Sequence, residues 1–156
     1  MKKIILFGFM LLAFSSCAKL EEINVKDAKI KNVSFNTMTD ISLDLVLTIE
    51  NPNTRKILID NVELDAWLGE THLGLVETLE KTALPPKFNG DVKIPLQLTF
   101  SSLQALTVIA NNAESLNFDN LLDKFEVTGF AKIKMGAFVR KHKIERTTIK
   151  KLLESL

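Results

Sequence analysis

Few residues in this chain can do covalent or acid–base chemistry. Its 156 residues include one cysteine, Cys17, two histidines, His72 and His142, and no tyrosine. Catalysis asks for such groups in pairs, a nucleophile with its base or an acid with its partner. No Cys-x-x-Cys, His-Glu-x-x-His, Walker loop or Gly-x-Ser-x-Gly occurs. His72 falls in a predicted hairpin and His142 lies between Lys141 and Lys143; both read as surface residues. Asp119 and Asp123 are close in sequence, but a divalent cation needs more ligands than two carboxylates supply. The chain therefore reads as a non-enzyme with no catalytic residue, no cofactor and no metal. Its formal charge of +1 gives no reason to propose nucleic acid.

The other stretch with chemistry in it is Asn51-Pro52-Asn53. An apolar alternation runs to Ile49, meets this tripeptide and resumes at Ile57. It is a binding loop, a catalytic corner or the end of a strand, and backbone physics favours the last. Asn51 precedes proline and is held in β or polyproline II geometry. Pro52 fixes φ at a turn's second position, and Asn53 tolerates the bridge or left-handed region at the third. Asparagine amides also satisfy backbone groups bared where a strand leaves its sheet.

Cys17, with no second cysteine, cannot form an internal disulfide. Lys2 and Lys3 precede eleven apolar residues, Ile4–Phe14. That run is too short for a bilayer core of about 30 Å, which needs about 20 residues, and suits a secretory signal. Ser15-Ser16-Cys17 then resembles the lipobox of bacterial lipoproteins, with Phe14 where leucine is commoner. The resemblance implies cleavage before Cys17 and a diacylglycerol on its thiol. The expected organisation is a signal peptide over 1–16, a lipidated tether over 17–22 and one domain over 23–156. Loss of Lys2 and Lys3 takes the formal side-chain charge to −1. The expected location is the bacterial cell envelope, membrane-attached through the lipid. Ala18 carries no inner-membrane retention signal, so the outer membrane is expected, in either leaflet. Glu21 and Glu22 read equally as a surface-export signal or a solvated linker.

The elements that must position these residues are mostly strands. Ile23, Val25, Ile30, Val33 and Phe35 mark a first strand with a bulge where the phase shifts after Ile30. Ile41, Leu43, Leu45, Leu47 and Ile49 alternate with mostly polar residues, as in an antiparallel sheet with one wet face. Val62, Leu64, Ala66 and Leu68 mark a third strand, and Gly69-Glu70 turns it into residues 71–78. Residues 84–91 read as a loop, and 92–100 as a strand whose Pro95 marks an edge or a bulge. The period then becomes helical: Ser101 and Gln104 form a capping box, Leu103, Leu106, Ile109 and Ala110 a stripe, and Asn111-Asn112 a stop. A short turn is expected near 119–124. Residues 125–135 and 138–149 are two further strands, and the last seven a short helical or frayed end. About seven strands at this spacing predict a mainly β fold, an antiparallel β-sandwich with a short helical insertion; a small barrel is the alternative.

A strand ending Leu47-Thr48-Ile49-Glu50-Asn51-Pro52-Asn53, an Ile-rich strand, a tract from Gly69 to Leu73-Gly74 and a later Pro-rich loop together resemble the late embryogenesis abundant type 2 family, the water-stress and hypersensitive-response (WHy) domain. The Gly69–Gly74 tract is one residue longer than the family's Gly-x-x-Leu-Gly. The resemblance covers roughly residues 28–148. It implies a sandwich of the fibronectin type III/immunoglobulin kind and a non-enzymatic role in protection against drying and other stress.

Charge is unevenly spread. Residues 129–156 carry a local +6 and residues 60–91 a local −5. Lys132, Lys134, Arg140, Lys141 and Lys143 form a basic set that would contact anionic lipid or polysaccharide head groups, or simply protect an edge strand from aggregation. Trp67 and Phe130 fall on outward phases, as a contact patch or as a seat for the helix. The expected function is envelope stress protection through weak contacts with membrane or protein. The alternative is a binding module offering a pocket or strand edge to a protein, peptide or glycan.

Overall fold

The computed structural model describes residues 21–112 and 122–155. The period-two segments form eight strands: β1 (Asn24–Phe35), β2 (Asp40–Asn51), β3 (Ile57–Leu68), β4 (Thr71–Thr78), β5 (Thr82–Leu84), β6 (Phe88–Phe100), β7 (Phe125–Met135) and β8 (Phe138–Thr148). Two helices accompany them, α1 (Leu103–Asn112) and α2 (Ile149–Glu154), with a single helical turn at 122–124.

Every pairing is antiparallel, and the strands join one sheet in the order β1-β2-β6-β4-β3-β7-β8, with β5 added to β3. The sheet folds over on itself. Leu47 and Ile49 of β2 and Val92 and Ile94 of β6 pack on Ile57 of β3 and Leu84 of β5, with Ile133 and Met135 of β7 against the same cluster. The result is sandwich-like: β1-β2-β6 makes one layer, β3-β7-β8 the other, and β4 links them by pairing with both β3 and β6. It is not a closed barrel, because β1 and β8 remain edges. A second cluster, Ile41, Ala66, Leu73, Phe100 and Ala105, lies under α1. Helix α2 contacts β1, β7 and β8 and contributes Leu153 to the first cluster.

Several expectations shift. Strand β1 shifts register against β2 twice, between Val25 and Asp27 and between Lys31 and Ser34; the second is the bulge that the phase change predicts. The three-residue β5 is new, and β6 starts inside the predicted 84–91 loop. Strand β6 is central rather than an edge, and it shows no bulge at Pro95, which pairs in register with Asp44. Proline is tolerated because the β4 ladder ends one residue earlier, at Thr78–Leu96, and Pro95 O accepts from Leu79 N at 2.9 Å. The missing N–H therefore faces Leu79, just past the end of β4, where the ladder closes on a single bond. The helix cap is Ser102, whose Oγ accepts from Ala105 N at 3.2 Å. Ser101 instead donates to the carbonyls of His72 and Leu73 on β4. The buried stripe of α1 is accordingly Ala105, Leu106 and Ile109, while Leu103 is 62% exposed.

Candidate functional site

In β2 the odd positions face inward, from Ile41 to Ile49, and the same phase carries Asn51 into the interior, where it is fully buried. A buried amide must be hydrogen-bonded, and this one is. Its Nδ2 donates to Pro85 O at 2.7 Å. Its Oδ1 accepts from Asn53 N at 3.1 Å and from Asn53 Nδ2 at 3.0 Å. Asn53, also buried, donates from Nδ2 to Glu21 O and accepts at Oδ1 from Glu21 N, both at 2.9 Å. Its own carbonyl accepts from Lys87 N at 2.9 Å. The tripeptide thus locks three segments together: the end of β2, the 85–87 loop and residue 21. The left-handed residue of this corner is Lys87, at φ 50°, and Asn53 does not adopt a positive φ. Asn53 acts through its side chain. Both amides are engaged with the protein's own backbone and with each other, which is the geometry of a clamp.

The tract from Gly69 to Gly74 also divides its work. Gly69 makes the β3–β4 hairpin at φ 58°. Leu73 is completely buried in the second cluster. Gly74 lies so close to β6 that a Cβ there would stand 2.0 Å from Thr99 O.

The basic set of β7 and β8 does not form one free field. Residues opposite each other in an antiparallel pair share a face, so the pairing of Lys132 with Lys141 and Phe130 with Lys143 puts these on the outer face beside Lys134. Arg140 pairs with Ile133 and lies on the other face. Lys132 and Lys134 are held by Asp60 at 3.3 and 3.1 Å, and Lys143 by Glu145 at 2.9 Å. Lys141 sits over the Phe130 ring at 3.6 Å. Arg140 has no ion-pair partner among the described residues.

Asp60 is the residue that period counting missed. It occupies the bulge of β3 against β7, between Ile59 and Asn61, which lets the inward phase pass from Ile57 and Ile59 to Val62. Its side chain is only 7% exposed and receives Lys81 at 2.7 Å as well as Lys132 and Lys134. Hydrogen bonds from Lys81, then Lys134 and Lys132, hold its carboxyl well below the usual carboxylate range, against the opposing effect of burial.

Trp67 and Phe130 are half-buried and covered by neighbouring side chains, while α1 packs on the Ala66, Leu73 and Phe100 cluster. The Trp67 ring lies 4.7 Å from that of His72 and 4.7 Å from the Arg146 guanidinium. His72 Nε2 is 2.9 Å from Asp65, and Arg146 donates to Glu126 and to Gly69 O, each at 2.6 Å. His142 is exposed. Asp123 pairs with Lys150 at 3.1 Å, and Asp119 lies outside the described residues, as does Cys17. Among the described residues no three His, Cys, Asp or Glu side chains are grouped to hold a metal, and no helix is long and apolar enough to cross a membrane.

No protein-family model and no curated protein matches the chain. A solved structure, described as a protein from Archaeoglobus fulgidus, is similar in fold: TM-score 0.52 at 12% identity, over 80% of this chain and 97% of that one.

Proposed function

We propose that this is a lipid-anchored, non-enzymatic protein of the bacterial cell envelope, attached through Cys17, whose WHy-like sandwich protects membrane or protein during drying and related stress. The observation that carries the reading is the asparagine clamp. The tripeptide of the resemblance holds the backbone of Glu21, four residues after the proposed lipid site, so the sandwich is fastened to the chain close to that site. Its amides serve the fold, which supports an anchoring role over a ligand-binding one. A second reading, a module that captures a peptide or protein, is favoured by β1 and β8, which each pair on one side only.

Two measurements test this. Cys17→Ser should release the protein from the membrane fraction and change its electrophoretic mobility; full retention with unchanged mobility would sink the anchoring claim. The purified chain should preserve a drying-sensitive enzyme without saturable binding. A single saturable partner in a pull-down would favour the second reading.

A further inference from the structure

The clamp also fixes which end of the sandwich lies nearest residue 21. Ile57, the first residue of β3, pairs with Leu84 on one side and Met135 on the other. The 54–56 segment, the 85–87 loop and the β7–β8 turn therefore lie side by side at one end. Asn53 holds Lys87 there, and the Arg55 guanidinium lies beside Gly136 of the turn. This end exposes Arg55, Lys56, Lys87 and Arg140, none of which forms an ion pair among the described residues. Beside them the turn presents Phe138 and Val139, 70% and 55% exposed. Against the two tether carboxylates, Glu21 and Glu22, the four cations leave the end positive.

We propose that this end, with Phe138 and Val139 as its apolar tip and Arg55, Lys56, Lys87 and Arg140 around it, docks on the anionic surface of the bilayer that holds the lipid anchor. The proposal rests on the anchoring reading above. Tether length selects the end. From Cys17 to the clamped Glu21 there are four residues, which extend to about 14 Å at most. The twelve-residue strands are about 40 Å long. The opposite end also exposes apolar groups, Phe35 and Met38 at the β1–β2 turn, but a tether pinned at Asn53 cannot bring it to the membrane with the sandwich upright. Basic side chains beside an apolar tip fit a head-group layer, where each cation near the surface strengthens attachment about fivefold.

The test uses the full chain reconstituted in phosphatidylglycerol-containing vesicles. An environment-sensitive label is placed by Phe138→Cys or, at the far end, by Met38→Cys. Quenching by lipid-borne spin labels should be strong at position 138 and weak at 38. Adding Arg55→Glu, Lys56→Glu and Arg140→Glu should reduce quenching at 138 by about twofold or more. Equal quenching at both positions, stronger quenching at 38, or no response to the triple charge reversal would overturn the proposal. Mass spectrometry of the same protein reads lipidation of Cys17 separately. If no lipid is present the anchoring reading falls, and the two labels in a Cys17→Ser chain mixed with vesicles still decide the surface: quenching at 138 keeps it, and no quenching ends it.

Discussion

Two residues, Asn51 and Asp60, show how a buried polar group is tolerated. Asn51→Ala would leave Pro85 O and two donors of Asn53 without their partner in a buried corner. Each such loss costs about 1–3 kcal/mol, so urea unfolding should show a loss of about 2–4 kcal/mol, with faster proteolysis near residue 21. Stability within about 0.5 kcal/mol of the parent would refute the clamp. Asp60 is kept ionised by three lysines. Its folded-state pKa lies below the ordinary value of 3.8. Its contribution is therefore complete above that value and is lost as pH falls toward the lower folded one. Asp60→Asn should lower the urea midpoint at pH 7, and the gap from the parent should narrow between about pH 5 and about pH 2; a gap that holds constant would exclude the charge as its cause. The burial of Asn51 was readable from the odd-numbered phase of β2. The surroundings of Asp60 were not, because its lysines come from positions 81, 132 and 134 and meet only when β7 lies beside β3.

At the scale of elements, the glycines of the β3–β4 tract separate turn geometry from close approach. Gly69 sits at φ 58° with nothing within 4 Å of a new Cβ, so Gly69→Ala should cost about 1–2 kcal/mol, the price of a left-handed alanine. Gly74→Ala would drive a methyl into the Thr99 carbonyl and force β4 from β6, at a cost of about 3 kcal/mol. Thermal unfolding followed by circular dichroism should rank Gly74→Ala clearly below Gly69→Ala; the reverse order would show that the two layers give way easily at β4. Long alternating strands such as β2 and β7 were legible because one buried face imposes period two. Strand β5, at three residues, is too short to show a period. Pro95 suggested an edge strand because a local rule cannot know that one neighbour stops a residue short of it.

At the scale of the whole molecule, one bent sheet places the two halves of the charge pattern in contact. The acidic 60–91 region and the basic C-terminal region meet at Asp60, which neutralises part of what looked like a basic face. The unpaired cations at the clamp end, Arg55, Lys56, Lys87 and Arg140, come from three separate segments, so no local run in the chain marks them as a group. The amino-acid sequence by itself determined the mainly β class, most strand limits and the inward phase, because burial on one face of a strand is written in every second residue. It also carried the Ser15-Ser16-Cys17 and Asn51-Pro52-Asn53 patterns on which the proposed anchoring and the resemblance rest, both local patterns. Only the tertiary structure decided the sheet order, the engagement of Asn53 with Glu21 and which cations stay free. The sheet order and the Asn53–Glu21 engagement depend on contacts between residues thirty or more positions apart, as do the Asp60 pairs with Lys132 and Lys134, and those contacts exist only once the sheet has folded over on itself.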